Sequence, residues 1–207
     1  MVKTIEHWVY IIKIDNLNME DNMTKIGIII GSTRPGRNGS AVGKWVYNIA
    51  QKRSHAEFEL IDIIDYDLPL YDEPYPAMMQ QYTKEHTKKW SEKIKEFDGF
   101  IFISAEYNHS IPGALKNAID YLNVEWINKA AGFVSYGSAG GARAVEHLRQ
   151  VAAELQMADV RAQVMLNLFT DFVNMSEFKP DSRHEGEVDV MLDQVIAWSN
   201  ALKPLRK

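Results

Sequence analysis

Gly31-Ser32-Thr33-Arg34-Pro35-Gly36-Arg37-Asn38-Gly39-Ser40 follows directly on an apolar run, Ile26-Gly27-Ile28-Ile29-Ile30, and leads into a segment of helical periodicity from about Ala41. Strand, glycine-rich turn and helix start, in that order, make an anion site. Glycines let the backbone turn tightly, the first N–H groups of a helix lack partners inside it, and the macrodipole adds its positive end. Arg34 and Arg37 contribute charge, and Ser32, Thr33 and Ser40 contribute hydroxyls. A nucleoside-triphosphate loop continues Gly-Lys-Ser/Thr, whereas Gly36 is followed by Arg37 and Asn38. Gly31, Gly36 and Gly39 also miss the dinucleotide spacing G-x-G-x-x-G. What remains is a terminal monophosphate held by hydroxyls, arginine and backbone. The alternative is a glycine-rich turn whose arginines are merely solvated.

Outward from this loop the chain alternates strands and helices. Val42, Trp45, Val46 and Ile49 recur at helical spacing, and Phe58 to Ile63 reads as a second strand. Thr83 to Phe97 is a polar-faced helix with Trp90, Ile94 and Phe97 inward, and Gly99 to Ser104 is a strand apolar on both faces, as in a buried parallel sheet. Pro112 opens a helix running through Leu122 at a first-turn position. Ala130 to Ser135 is the fourth strand, Gly137-Ser138-Ala139-Gly140-Gly141 turns it into a helix through Leu155, and a fifth strand lies within Asp159 to Leu168. A last helix runs near Glu187 to Leu202, with Phe169 to Gly186 as an irregular excursion. Alternating units of this length imply an α/β fold, a flavodoxin-like three-layer sandwich with a five-stranded parallel sheet in the order 2-1-3-4-5. Ligands of such sheets bind beyond the carboxyl ends of the strands, where the loops after β1, β3 and β4 converge.

The connection between the second strand and the next helix carries Tyr66, Leu68, Leu70, Tyr71, Tyr75, Met78, Met79 and Tyr82. So apolar a loop is either a binding wall or subunit contact, or a segment packed on its own domain. Residues 1–22 do not join smoothly to the first strand, although Trp8 to Ile14 has the composition of a short strand. Met23 is a natural beginning, so the expected organisation is an N-terminal extension, 1–22, and one domain, 23–207.

Composition narrows the function further. A net charge of −5 without a basic stripe argues against nucleic acid as a partner. The chain has no cysteine, which excludes disulfides, thiolate nucleophiles and cysteine-ligated clusters. No apolar run approaches the roughly 20 residues of a membrane helix, so a cytoplasmic protein without membrane partners is expected. No histidine pair has metal-ligand spacing, and His109 and His147 read as solvent or packing residues.

Ala105-Glu106-Tyr107-Asn108-His109-Ser110-Ile111-Pro112-Gly113-Ala114-Leu115-Lys116-Asn117-Ala118-Ile119-Asp120 resembles the Pro-Glu-Tyr-Asn-x-Ser-x-Pro-x-x-Leu-Lys-Asn-Ala-Ile-Asp motif of the NADPH-dependent FMN reductase family, flavodoxin-like quinone, azo and FMN reductases. Gly31 to Arg34 is similar to that family's Gly-Ser-x-Arg phosphate motif, and Ser135 to Arg143 to its β4 loop. One departure is Ala105, where the family usually has proline; alanine frees φ and adds an N–H.

The resemblance implies FMN as cofactor and NADPH or NADH as electron donor. It places FMN on Ser32, Arg34, Arg37, Asn38, Gly39 and Ser40, on Ala105, Glu106, Tyr107 and Asn108, and on Ser135, Tyr136, Gly137 and Gly140. Glu106 and Asn108 have a second reading as caps of the loop or of the helix near Pro112; Arg143 has two readings, a contact to a pyridine-nucleotide phosphate and, the simpler one, a solvated surface position. The expected activity is hydride transfer from a nicotinamide to FMN and then to a quinone, azo, flavin or similar small-molecule acceptor. One slot serving donor and acceptor in turn gives a ping-pong mechanism. No side chain is required as acid or base, because the cofactor carries the chemistry. The competing expectation is an FMN-binding redox sensor or interaction protein with slow turnover. The resemblance adds a homodimer or homotetramer.

Overall fold

A computed structural model of the protein describes residues 23–206. The expected extension, 1–22, with its short strand, lies outside the described residues. Five strands, β1 (Thr24–Ile30), β2 (Ala56–Asp62), β3 (Gly99–Ala105), β4 (Ala130–Gly137) and β5 (Ala158–Asn167), form a parallel sheet in the order β2-β1-β3-β4-β5. Helices α1 (Gly39–Ala50) and α5 (Arg183–Leu202) cover one face, and α2 (Glu85–Lys95), α3 (Gly113–Asp120) and α4 (Ala142–Glu154) cover the other. This is the expected flavodoxin-like sandwich.

The central strands explain why the sheet is parallel and doubly covered. Every residue of β3 and β4 is buried, so neither face can meet water. On the α2–α4 face the rings of Phe100, Phe102, Phe133, Trp90 and Trp126 pack into one aromatic layer. Burial of each such side chain contributes about 2–3 kcal/mol before conformational entropy offsets it. The two indoles also satisfy their polar ends. Trp90 Nε1 donates to the carbonyl of Ala118 at 2.8 Å and Trp126 Nε1 to that of Ile119 at 3.1 Å. Those carbonyls belong to the last turn of α3, where helix acceptors run short of donors; Ile119 also accepts from Leu122 N–H at 3.2 Å. Here α3 stops at Asp120, earlier than the periodicity through Leu122 predicts, and Pro112 precedes the helix in extended conformation instead of lying in its first turn.

Two further boundaries move. Helix α5 begins at Arg183, four residues before the expected start, and α2 begins at Glu85. The excursion between β5 and α5 is not wholly irregular. It contains an antiparallel hairpin of two very short strands, β6 (Phe172–Val173) and β7 (Glu177–Phe178). Two-residue strands carry no periodic signal, which is why the sequence does not announce them.

The long connection after β2 is packed on its own domain but leaves several apolar side chains outside. Asn117 Nδ2 donates to the Pro69 carbonyl at 2.6 Å, Tyr71 N–H to Asn117 Oδ1 at 3.0 Å, and Tyr121 Oη to Asp72 Oδ1 at 3.0 Å. The segment is thus tied to α3, while Leu70, Tyr75, Met78 and Met79 remain exposed.

Candidate flavin site

The loops after β1, β3 and β4 meet at the carboxyl edge of the sheet. Gly31 N–H continues the ladder to the Ile103 carbonyl at 2.9 Å, which brings the β1 loop against β3. Ser32 is fully buried, and its Oγ lies 2.7 Å from Tyr107 Oη of the β3 loop. The two arginines then divide their roles. Arg37 is committed to an ion pair with Asp62 at the end of β2. Arg34 is exposed, and its guanidinium makes one long contact, 3.4 Å, to the Gly36 carbonyl. The charge left for a ligand is therefore that of Arg34.

Asn38 is the residue that starts α1, whose first helical positions are Gly39 and Ser40. Its carbonyl accepts from Ala41 and Val42, but its side chain makes no capping bond. Neither Gly39 N–H nor Ser40 N–H donates to an acceptor among the described residues. The buried Tyr136 Oη, brought up from β4, also has no hydrogen-bond partner. Burial pushes the Tyr136 hydroxyl well above the usual phenol range, so it stays protonated and able to donate. A β carbon on Gly39 would stand 2.9 Å from that oxygen and close the gap. Two unpaired backbone N–H groups, a buried phenol and an exposed arginine lie around one small space, an arrangement chemically able to accept an anion such as phosphate.

In the β3 loop, Ala105 is the last residue of the strand, buried and in register with Tyr136, so the sheet takes up the freedom that replacing proline allows. Glu106 N–H donates to the Tyr136 carbonyl at 2.9 Å. Tyr107 and Ser110 exchange backbone hydrogen bonds of 2.9 and 3.1 Å around Asn108 and His109, whose φ values are 48° and 75°. This is a two-residue hairpin turn with both central residues left-handed, a conformation asparagine tolerates and histidine adopts at a cost of about 1 kcal/mol. Asn108 therefore shapes the turn, and the helix near Pro112 receives no cap from either Glu106 or Asn108.

Glu106 instead reaches the next helix. Its carboxylate accepts from the Arg143 backbone N–H at 3.2 Å and from Arg143 Nε at 2.6 Å, and its side chain is 4% exposed. Arg143 is exposed, as its surface reading expects, and is in addition paired with Glu106. The N-terminus of α4 already holds this carboxylate, so its dipole is in part spent on Glu106. The turn ahead of α4 is rigid. Ser135 Oγ donates to the Gly140 carbonyl at 2.7 Å, and Gly140 N–H to the Gly137 carbonyl at 3.1 Å. Gly141 has φ 74°, and a β carbon there would lie 2.6 Å from that of Ser135, which only glycine avoids. His147 Nδ1 meets Ser110 Oγ at 2.9 Å beside the His109 ring. No group of three or more His, Asp or Glu residues placed to hold a metal exists among the described residues.

All three loops, carrying every sequence-predicted site residue, therefore converge, and the family signature and the geometry coincide. Residues 24–171 match the model of the NADPH-dependent FMN reductases. The chain belongs to that family. Among curated relatives, the NAD(P)H-dependent FMN reductase ntnL of Nectria sp is 44% identical over 134 residues, covering 62% of this chain and 67% of the other. The quinone reductase of Escherichia coli (strain K12) is 34% identical over 135 residues, 59% of this chain and 66% of that one. Among solved structures, the flavoenzyme NAD(P)H:(acceptor) oxidoreductase FerB of Paracoccus denitrificans superposes with a TM-score of 0.68 at 20% identity, over 86% of this chain and 98% of that chain. As a member of the FMN reductase family this chain is an oxidoreductase of the flavoprotein type.

Beyond the matched span, a hairpin that the motifs do not contain packs against the start of α1. Asn38 Nδ2 donates to the Met175 carbonyl at the tip of the β6–β7 hairpin at 2.9 Å, across 137 residues of sequence. Phe172 packs on the Tyr136 ring at 6.1 Å and Phe178 on the Trp45 ring at 5.5 Å. The hairpin thus leans over the first turn of α1. Phe172, Phe178 and Trp45 are large apolar residues and were the sequence signal available, but nothing in their spacing pairs them.

Proposed function

We propose that this reductase binds FMN with its phosphate in the α1 cradle and passes electrons from NAD(P)H to a quinone, azo, flavin or similar small acceptor. The observation that carries the reading is the unpartnered, buried Tyr136 Oη beside Gly39 and the unpaired N–H groups of Gly39 and Ser40. Bound FMN would supply hydride acceptance and donation. Ser32, Arg34, Gly39, Ser40 and Tyr136 would hold its phosphate. The Ala105–Asn108 strand end and turn, with the Ser135–Gly140 turn, would frame the ring. The rigid hydrogen bonds of Ser135, Gly137 and Gly140 fix that frame before a ligand arrives. The Glu106–Arg143 pair ties the two ring-side loops to each other. No side chain is assigned a proton-transfer role.

A single slot serving donor and acceptor in succession predicts ping-pong kinetics. The exposed Leu70, Tyr75, Met78 and Met79 support a subunit contact or outer wall for that slot, and hence a homodimer or homotetramer. No helix among the described residues is long and apolar enough to cross a membrane. The protein as purified, or after addition of FMN, should give an oxidised-flavin spectrum. Steady-state rates at varied NADPH and quinone should form parallel double-reciprocal lines. Intersecting lines would replace ping-pong with a ternary complex, and flavin binding with slow turnover would favour a redox sensor.

A further inference from the structure

Three hydroxyl groups meet where the β1 loop, the β3 turn and β4 come together. Ser32 Oγ lies 2.7 Å from Tyr107 Oη, and Tyr136 Oη stands close by, at Gly39. Burial pushes the Tyr136 hydroxyl up and Tyr107 adds to the shift, while Arg34 and Ser32 oppose it. Tyr107, Arg34 and Ser32 therefore all bear on one oxygen. The Tyr107 ring packs on the core beneath α1 and α5, which also contains Val42, Ala105 and Tyr136.

Each of these hydroxyls carries one hydrogen. The Ser32–Tyr107 bond uses one, and no acceptor among the described residues takes either of the other two. Such a cluster calls for a ligand group rich in acceptors. A phosphate monoester fits, with a charge of about −1.5 to −2 at pH 7 spread over its terminal oxygens. The protein supplies little formal charge in return. Arg37 is committed to Asp62, which leaves Arg34. Hydroxyl donors therefore carry a larger share of the hold, and their bonds to an anionic oxygen are about twice as strong as neutral ones. Tyr107 is also the first residue of the β3 turn, where its N–H and carbonyl are exchanged with Ser110. Its backbone thus belongs to the frame proposed for the ring, while its hydroxyl lies at the seat proposed for the phosphate.

We infer that Tyr107 binds the FMN phosphate through its hydroxyl, alongside Ser32 and Tyr136, and so ties the β3 turn to the phosphate seat. The aromatic ring of Tyr107 is then packing, and the flavin does not depend on it as a platform. This inference rests on the FMN-phosphate reading of the seat, so its test separates the two.

The measurement is the pair of dissociation constants for FMN and riboflavin, from flavin-fluorescence titration of the full-length, flavin-free protein. The wild type should favour FMN strongly; equal affinities would remove the phosphate reading itself. Tyr107→Phe deletes one oxygen and keeps the ring. It should weaken FMN by about ten- to thirtyfold, the equivalent of one hydrogen bond to a charged group, and leave riboflavin within about twofold. A ratio that stays at the wild-type value overturns the inference. So does an equal loss for both ligands, the result expected if the hydroxyl serves the ring or the fold. The Ser32→Ala background tests whether Tyr107 acts only by steadying Ser32. There Tyr107→Phe should still weaken FMN by about fivefold or more while sparing riboflavin. No further loss in that background would overturn the direct contact.

Discussion

Glu73 is the most consequential side chain of the long connection, and its removal has a calculable effect. Helix α2 starts after Lys84, which offers no side-chain cap. Glu73 stands in from eleven residues away. Its carboxylate accepts from Thr83 N–H at 2.8 Å, Thr83 Oγ1 at 2.7 Å and Lys84 N–H at 3.0 Å, and the residue is 8% exposed. Burial alone would raise its pKa, but these donors and Thr87 bring it from 4.5 down to about 2. A depressed carboxylate stabilises the fold above its unfolded pKa and loses that contribution as pH falls through the folded one. The shift corresponds to about 3 kcal/mol at pH 7. Glu73→Gln keeps the shape and removes the charge, so it should cost about 2–3 kcal/mol in urea unfolding at pH 7. The gap to the wild type should narrow by about 1 kcal/mol at pH 3.5 and go on closing toward pH 2. A cost below about 0.5 kcal/mol, or a gap that does not change between pH 7 and 3.5, would refute the capping argument.

Four other outcomes follow from the same coordinates and sequence. Arg34→Ala should weaken FMN by roughly ten- to a hundredfold in fluorescence titration while leaving riboflavin unchanged, since Arg34 is the uncommitted guanidinium of the loop. A chain beginning at Met23 should retain flavin and NADPH–quinone turnover; loss of either would give residues 1–22 a part in the fold or in a subunit contact. Lys129 is 5% exposed, and burial, then Arg206, push its amine down to about 7, so the unfolded chain binds more protons between about pH 7 and 10.5. Stability should therefore gain a rising contribution over that window, and Lys129→Met should abolish the rise in a pH series of urea midpoints. Light scattering at micromolar concentration should give a dimer or tetramer mass, and Met78→Glu with Met79→Glu should lower it.

The sequence determined the architecture because its signals are local. Runs such as Ile26–Ile30 and Phe100–Ser104 are apolar on both faces, and only a doubly covered parallel sheet accommodates that. The turns between Gly31 and Ser40 and between Gly137 and Gly141 are glycine-rich because the backbone there turns tightly at a helix start, and glycine is visible in any listing of residues. The three loops that meet at the carboxyl edge of the sheet were therefore legible in the sequence. What the letters could not carry is partner choice. Arg34 and Arg37 read alike, yet Asp62 claims the second; Glu106 reads as a flavin contact or a cap and Arg143 as a surface residue, yet they bind each other across two loops. Glu73 gives no sign that it holds the backbone of Lys84, eleven residues on, where α2 is about to begin. The bond from Asn38 to Met175 joins positions 137 residues apart, and the strands that present it are two residues long. Periodicity reports which face of an element is buried. It does not report which polar atom lies opposite, because that depends on how whole elements pack, and only the folded chain decides it.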